Sequence, residues 1–305
     1  MARHLRKICV TALVIIMNAS PSQARQRAPK PPPTHKDVRY GPHERNVLDF
    51  WQARTKTPAP LVVYIHGGGF RNGSKASLKA NDLTELLDAG ISVAALHYRL
   101  IQQKRLPAAH HDCARALRFL RSKAKAWNLD KQRVGAFGGS AGAQLSMWLA
   151  FHDEMADPKS SDPIATESTR LTCVATIGGQ TTMDFKLWQK WIPGYDKPHR
   201  DPYEMLDAGN EDELRKVVEE ISALSLISKD DPPIHMYYRM APDDPVPSDP
   251  AEARSWQVHH VVFGEKLKEK MDRLGIEADL RYPGAKPIYT SIPRFFEAKL
   301  QQDKR

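Results

Sequence analysis

The sequence has little cysteine and lacks an apolar run long enough to cross a membrane. Three cysteines occur in 305 residues, and neither a Cys-x-x-Cys nor a His-x-x-x-His spacing indicates a metal site. The apolar run Ile8 to Met17 has only ten residues, whereas about 20 are needed to span a bilayer. With 41% hydrophobic and 27% charged residues, the composition excludes a disordered, collagen-like or polytopic membrane protein and indicates a globular chain.

The first 24 residues have the order of a secretory signal. Arg3, Arg6 and Lys7 precede the apolar run, and Ser22-Gln23-Ala24 supplies small residues for cleavage. We expect residues 1–24 to be removed and the mature protein, without a membrane span, to be secreted or periplasmic. An uncleaved anchor is the less favoured alternative, because the apolar run is short.

The charge of the mature chain is only mildly basic. Removal of the signal with its three cations lowers the net charge from +9 to +6, so nucleic acid is not expected as a partner. The cations between Arg115 and Lys125 interleave with apolar residues at helical spacing, which favours a solvated helix face over a polyanion site. Cys113 and Cys173 remain after signal removal and are either paired or, as we favour, buried free thiols.

After a proline-rich linker over residues 25–36, short apolar segments alternate with amphipathic ones through residues 37–305. This alternation predicts one α/β domain with a mostly parallel, doubly wound sheet. The predicted strands are Val38–Tyr40, Val47–Trp51, Leu61–Ile65, Ile91–Leu96, Arg133–Phe137, Leu171–Ile177, Ile234–Tyr238 and Ala278–Tyr282. The predicted helices are Lys79–Asp88, His111–Trp127, Ala143–Phe151, Glu211–Ile221, Phe263–Leu274 and Ser291–Leu300. Two segments interrupt the pattern, near 153–170 and 181–210, and we interpret both as insertions at strand ends where such folds place binding elements.

The segment Gly138-Gly139-Ser140-Ala141-Gly142 lies between a predicted strand and a predicted helix. A nucleophile elbow requires this strand–turn–helix context, in which a strained turn projects the serine hydroxyl. Glycines at positions 138 and 142 avoid the collisions that side chains would cause in such a turn. The segment therefore predicts Ser140 as a catalytic nucleophile, although a glycine turn with an incidental serine is the alternative.

The predicted strand Leu61–Ile65 runs directly into His66-Gly67-Gly68-Gly69. Glycines allow backbone N–H groups to approach a substrate oxygen, and preorganised donors stabilise the negative charge that develops during acyl transfer. We predict an oxyanion hole formed by the N–H groups of Gly68, Gly69 and Ala141. His66 could act as a base, but beside these glycines its ring more naturally holds the loop in shape.

With these two motifs the sequence resembles the α/β-hydrolase superfamily, and specifically the secreted esterases similar to hormone-sensitive lipase, which carry His-Gly-Gly-Gly ahead of Gly-x-Ser-Ala-Gly. The resemblance covers nearly all of the mature chain. It implies a sheet of about eight strands and a Ser, Asp or Glu, His triad in that chain order. By this resemblance Asp243 matches the acid, with Asp244 in reserve; an ordinary loop aspartate is the alternative.

The sequence departs from this family pattern at the base. The loop Tyr282–Pro287, where the histidine usually lies, has none, and no histidine follows His260. The pair His259-His260 precedes the helix Phe263–Leu274, at the sheet edge expected to hold Ser140. His260 continues the apolar stripe of that helix and His259 flanks it, so we predict His260 either as a relocated base or as a buried histidine capping the helix.

The insertion near 181–210 is rich in apolar and aromatic side chains that could hold a sugar ring or an aryl acid, or could pack on one another. They are Met183, Phe185, Trp188, Trp191, Ile192, Tyr195 and Tyr203. The insertion near 153–170 is too polar for an interfacial lid, which disfavours long-chain lipase activity.

These observations predict a serine carboxylesterase acting on short acyl or aryl esters, including small molecules and esters carried by polysaccharides. The mechanism needs no cofactor or metal. One alternative is a catalytically inactive α/β-hydrolase that serves as a binding module, which the missing late histidine motivates. A serine peptidase is the other alternative; it is disfavoured because no large gating domain precedes the predicted catalytic region. The oligomeric state is left open.

Overall fold

A computed structural model describes residues 29–301, so the predicted signal over residues 1–24 lies outside the described residues. An eight-stranded sheet has the order β1-β2-β4-β3-β5-β6-β7-β8. The β1–β2 and β2–β4 pairs are antiparallel and the remaining five pairs are parallel, as the alternating pattern predicted. The strands are β1 His35–Arg39, β2 Val47–Trp51, β3 Ala59–Ile65, β4 Ser92–Leu96, β5 Leu129–Gly139, β6 Cys173–Ile177, β7 Ile234–Tyr237 and β8 Ala278–Arg281.

Ten α-helices and one 3₁₀ turn, Lys75–Ser77, are found among the described residues. The helices are α1 Ala80–Asp88, α2 Ala108–Ser122, α3 Ala141–Phe151, α4 Phe185–Trp191, α5 Pro202–Met205, α6 Glu211–Ile221, α7 Ala223–Leu226, α8 Pro250–Val258, α9 Val262–Leu274 and α10 Ile292–Leu300. The six predicted helices are present. The helices α4, α5, α7 and α8 were not predicted, because they are short and lack a sustained apolar period.

The sheet is covered on both faces, which is why its parallel strands are apolar at nearly every position. Successive residues of β3 belong to different clusters: Val63 packs on one face and Val62 on the other. Cys113 lies in the first cluster and Cys173 in the second, and both are buried free thiols. The pairing alternative is thereby excluded, because the sheet separates the two sulfurs.

The parallel strands end together at one edge of the sheet. Ile65 of β3 pairs with Gly138 of β5, and Ile177 of β6 pairs with both Gly139 of β5 and Tyr237 of β7. The loops that follow these four strands therefore meet at the same edge. In open α/β sheets this carboxyl edge is where ligands bind.

The two insertions lie at opposite edges of the sheet. Residues 181–210 follow β6 and meet the carboxyl edge, as expected. Residues 153–170 connect the end of α3 to the start of β6, so they lie at the amino edge and not at the strand ends where they were predicted.

The cationic face of α2 holds this amino-edge insertion. Arg115 Nη1 lies 2.7 Å from an Asp162 carboxylate oxygen, and Arg121, only 5% exposed, donates from Nη1 to the Ser168 carbonyl at 2.6 Å. Arg115 and Arg121 therefore make contacts within the protein, whereas Lys125 is exposed, so the solvated face that the spacing suggested is present only in part.

Candidate active site

Ser140 occupies the sharp turn between β5 and α3. Its backbone has φ 53° and ψ −122°, a conformation that L-residues rarely adopt. The Ser140 N–H donates to the Ile177 carbonyl at 2.9 Å, which ties the turn to the end of β6. This is the strained strand–turn–helix geometry that the glycine-rich segment predicted for a nucleophile.

The glycines around Ser140 are required by backbone contacts. A Cβ atom at Gly138 would lie 2.4 Å from the Ile65 carbonyl oxygen, and one at Gly142 would lie 2.0 Å from the same oxygen. Neither distance is physically accessible, so β3, the elbow and α3 can pack this closely only without side chains at these two positions.

His259, and not His260, lies next to Ser140. His259 Nε2 is 3.0 Å from Ser140 Oγ, within hydrogen-bond distance. His259 immediately follows α8, the helix that the sequence analysis missed. The prediction that His260 approaches the nucleophile was therefore wrong, because α8 ends at Val258 and turns the flanking residue, His259, toward the elbow.

The other ring nitrogen of His259 fixes its tautomer. His259 Nδ1 lies 2.8 Å from the Ser255 carbonyl oxygen, which can only accept, so Nδ1 carries the proton. Nε2 is then left with a lone pair that faces the Ser140 hydroxyl. Burial lowers the pKa of His259; the Ser255 contact opposes this, and the charge of Arg239 lowers it further. His259 is thus a neutral acceptor at pH 7.

His260 is a core residue. It is 4% exposed, its Nδ1 accepts the Val262 N–H at 3.1 Å, and its ring packs edge-on against Trp256 at 4.4 Å between centroids. Burial lowers its pKa to about 4. The second interpretation of this residue, a buried histidine at the start of the following helix, describes it.

The structure does not bring Asp243 to the histidine. Asp243 is exposed in the loop between β7 and α8, while His259 Nδ1 is occupied by a backbone carbonyl. Asp244, the reserve candidate, accepts the Ala241 N–H within the same loop at 2.8 Å. Asp249 caps α8 by accepting from Ala251 at 3.0 Å and from Glu252 at 2.9 Å. The loop's aspartates therefore shape the turn and the helix start.

A different His–carboxylate pair lies under the loop where the family's histidine would be expected. His235 of β7 contacts Asp279 of β8 at 2.7 Å, and both are buried in the sheet. Asp279 also accepts the Ile288 N–H at 2.7 Å and the Tyr289 N–H at 3.1 Å, so it anchors the segment after β8. This pair is structural, because its acceptor oxygens are used by the backbone.

Gly178 and Gln180, which follow β6, position His259, and neither was predicted from the sequence. Gln180, which is buried, donates from Nε2 to the Val258 carbonyl at 2.6 Å and so holds the residue before His259. Gly178 has φ 56°, and a Cβ there would lie 3.3 Å from the Cβ of His259. Neither belongs to a recognisable motif; only their place directly after a core strand could have drawn attention to them.

The predicted oxyanion-hole residues border the same cavity as Ser140. Gly68, Gly69 and Ala141 all line it. Gly68 and Gly69 have φ of 110° and 58°, and their N–H groups donate to no acceptor among residues 29–301. Ala141 begins α3, where a backbone N–H has no acceptor within the helix. The site thus presents free N–H groups beside the serine hydroxyl.

His66 holds the glycine loop. Arg45 Nη2 donates to His66 Nε2 at 3.3 Å, and His66 Nδ1 contacts the Gly67 carbonyl at 2.7 Å. The ring is fully buried, and burial lowers its pKa to about 4. Both nitrogens are engaged in the loop, in keeping with a shaping role and not with that of a base.

The cavity has two lobes that meet at Ser140 and His259. One, of about 700 Å³, contains Arg239, Met240, Glu252 and Trp256, and is called the Arg239 lobe. The other, of about 470 Å³, contains the oxyanion residues with Phe70, Met183, Trp188, Arg200 and Arg254, and is called the Arg200 lobe. Two lobes on either side of a nucleophile suit the acyl and alcohol parts of an ester.

Most aromatic side chains of the 181–210 insertion pack on one another. Trp188 is 1% exposed and lies 4.8 Å from the Phe263 ring, while Phe185 and Tyr195 are also buried. Trp188 lines the Arg200 lobe but is almost wholly buried. The packing alternative therefore describes the set better than a sugar-binding platform.

Within the described residues, no group of three or more His, Cys, Asp or Glu side chains is placed to hold a metal ion. Over the same part of the chain, no helix combines the length and apolarity that crossing a membrane requires.

The fold and the arrangement of elbow, glycine loop and histidine define an α/β-hydrolase. The chain belongs to the BD-FAE family, whose model matches residues 48–253.

Individual relatives share parts of the chain. Ethyl acetate hydrolase of Pseudomonas putida is 39% identical over 89 residues, which are 29% of this chain and 28% of that protein. Probable carboxylesterase 8 of Arabidopsis thaliana is 34% identical over 121 residues, 37% of either chain. The matched regions thus span only 28% and 37% of these two relatives. A truncated carbohydrate esterase from gut microbiota has a TM-score of 0.63 at 21% identity, over 81% of this chain and 86% of that one, a likeness of fold.

Proposed function

We propose that the protein is a serine carboxylesterase in which Ser140 is the nucleophile and His259 the general base. The observation that carries this proposal is the 3.0 Å contact between Ser140 Oγ and His259 Nε2 in a strained elbow beside free backbone N–H groups. A serine hydroxyl is a weak nucleophile without an adjacent base, and this contact supplies one.

In the first half of the reaction, Ser140 Oγ attacks the ester carbonyl carbon while His259 Nε2 takes the hydroxyl proton. The carbonyl oxygen of the tetrahedral intermediate becomes negatively charged and accepts from the N–H groups of Gly68, Gly69 and Ala141. The intermediate collapses when His259 Nε2 gives its proton to the departing alcohol oxygen, which leaves an acyl group on Ser140. In the second half, water attacks the acyl carbon while His259 Nε2 takes its proton. The second intermediate collapses when His259 returns the proton to Ser140 Oγ, which releases the acid.

The histidine has an unusual orienting group. When Nε2 takes the proton, the ring becomes positively charged, and its Nδ1–H faces a neutral carbonyl oxygen of Ser255 in place of a carboxylate. A carbonyl fixes the tautomer as well as a carboxylate does but stabilises the charge less. We therefore expect slower turnover than in a full triad, with the reaction type unchanged.

The proposed substrates are short acyl or aryl esters, including those attached to carbohydrates. Phe70, Met183 and Met205 give the Arg200 lobe an apolar wall that suits a short chain or a ring. The activities named for the relatives, ethyl acetate hydrolysis and carbohydrate de-esterification, are consistent with this range.

The experiment is labelling and turnover with a matched serine variant. The mature chain should react with a fluorophosphonate at Ser140 and hydrolyse 4-nitrophenyl acetate, and Ser140→Ala should abolish labelling and lower kcat/KM by at least about 10⁴-fold. Ser146→Ala is the control, because Ser146 is buried in α3 and donates to the Gly142 carbonyl at 2.7 Å. Absence of labelling between about pH 6 and 9 would favour an inactive binding module instead.

We also propose that the protein is exported and acts outside the cytoplasm. The order of charged, apolar and small residues over 1–24 supports this. The mature protein from its native host should start near Arg25; an N-terminus at Met1 or Ala2 would contradict the proposal.

A further inference from the structure

The two lobes of the cavity differ in charge. The Arg239 lobe contains one guanidinium and one carboxylate, those of Arg239 and Glu252. The Arg200 lobe contains two guanidinium groups, those of Arg200 and Arg254, and its lining has neither aspartate nor glutamate. The Arg200 lobe therefore has an excess of positive charge, whereas the charges of the Arg239 lobe balance.

Arg200 has no carboxylate partner among residues 29–301. It is partly buried, and its Nη1 donates to the Gly69 carbonyl at 2.5 Å. The nearby acids are used elsewhere: Glu204 pairs with Arg71 at 3.1 Å, and Asp201 accepts the Tyr203 N–H at 2.9 Å. Burial, and then the charge of Arg71, lower the pKa of Arg200. An uncompensated, partly desolvated guanidinium is favourable only where an anion can reach it.

Arg254 extends the same positive field. Arg254 lies on α8, one turn before Val258. The only hydrogen bond of its guanidinium among residues 29–301 is a long one of 3.5 Å from Nη1 to the His199 carbonyl. Arg254 is exposed to solvent and lines the rim of the lobe. Burial, then Arg200 and Arg254, lower the pKa of His199 to about 4, so the three side chains lie within electrostatic reach of one another.

We propose that the preferred ester carries a carboxylate, which Arg200 and Arg254 bind in the Arg200 lobe. This inference rests on the proposed esterase function. Guanidinium groups bind carboxylates through paired, charge-assisted hydrogen bonds, and the low polarity of the Phe70 and Met183 wall strengthens them. The carboxylate could belong to the acyl part, as in a half-ester of a dicarboxylic acid, or to the alcohol part, as in a uronic acid or a hydroxybenzoate.

Two pairs of esters test the proposal and distinguish the sources. 4-Acetoxybenzoate against 4-acetoxybenzamide places the charge on the alcohol part. The second pair, the 4-nitrophenyl half-ester of succinic acid against the 4-nitrophenyl ester of succinamic acid, places the charge on the acyl part. Each rate is corrected for the spontaneous breakdown measured without enzyme, which for the succinate ester includes intramolecular attack by its carboxylate and loss of 4-nitrophenolate. After this correction, kcat/KM in one pair should favour the anion by about tenfold or more at low salt, and 1 M NaCl should reduce the preference.

Arg254→Gln should reduce the anion preference severalfold, because it removes one guanidinium from the exposed rim of the lobe. Arg273→Gln is the matched control: it removes an exposed arginine that pairs with Glu269 on α9 and should leave the preference intact. Equal kcat/KM within both pairs, or a preference that survives Arg254→Gln, would overturn the inference while the esterase function stands. Hydrolysis of none of the four esters would refute the esterase function and the inference with it.

Discussion

The two halves of the proposed catalytic pair, Ser140 as nucleophile and His259 as base, are held in place by different means. Ser140 is fixed by backbone sterics: Gly138 and Gly142 pack against the Ile65 carbonyl, and the whole of α3 behind the serine is buried. His259 follows α8, a nine-residue helix in which only Trp256 is buried. The nucleophile therefore belongs to the core of the fold, whereas the base depends on a few side-chain contacts.

The difference explains how the base can lie outside the usual loop. An elbow is compatible with only one backbone path, so its sequence is tightly constrained. A histidine needs only one nitrogen near the serine and one acceptor for the other, and several loops reach the carboxyl edge of the sheet. Here the residue after α8 meets both conditions.

The largest effect should come from separating the two adjacent histidines. His259→Ala removes the base, so kcat/KM for 4-nitrophenyl acetate should fall by about 10³- to 10⁴-fold with little change in Tm. His260→Ala removes a buried ring beside Trp256, so the free energy of unfolding should fall by about 1–3 kcal/mol while activity per folded molecule stays within a few fold.

The double variant Ser140→Ala/His259→Ala sharpens this test, since members of one catalytic unit give non-additive losses. It should be about as inactive as Ser140→Ala alone. If His260→Ala were the variant that lost activity, the assignment of the base to His259 would be wrong.

A smaller effect on activity is expected from removing a contact that holds His259 in position. Gln180→Leu removes the 2.6 Å hydrogen bond to the Val258 carbonyl and loosens the residue next to His259. We expect kcat to fall by about tenfold, a larger change than in KM, because the lost hydrogen bond aligns His259. Gln257→Leu is the comparison, since its contact to the Pro193 carbonyl is long at 3.4 Å and exposed. Equal effects of the two changes would contradict a positioning role for Gln180.

The same contrast separates what the sequence could predict from what it could not. Strands, six helices, the elbow and the glycine loop follow from local patterns: apolar runs, 3.6-residue periods and glycines with a steric reason. The position of His259 does not, because α8 is short, begins with Pro250 and has a single buried side chain, so periodicity offers no signal. The apolar stripe of α9, extended backward, pointed to His260, which is the core member of the pair.

The role of a carbonyl as orienting group predicts a particular pH dependence. His259 acts as a base when neutral, and its pKa is lowered mainly by burial, with no carboxylate to raise it. The acid limb of kcat/KM should therefore have its midpoint below the ordinary histidine value of 6.5, and activity should fall between pH 7 and pH 6 by less than the roughly threefold that a pKa of 6.5 would give. A midpoint at or above 6.5 would mean that an anion stabilises the protonated ring.

The smallest effect should come from the residue that the family resemblance nominated as the acid. Asp243 is exposed, and the Nδ1 of His259 is already bonded to the Ser255 carbonyl at 2.8 Å. Asp243→Asn should therefore change kcat/KM by less than about twofold, whereas loss of a true triad aspartate costs on the order of 10⁴-fold. A large loss in Asp243→Asn, together with an acid limb that moves to lower pH, would show that the loop between β7 and α8 closes onto His259 during catalysis. Unchanged turnover and an unchanged limb would leave Ser255 as the orienting group, and the histidine side would then function without any carboxylate.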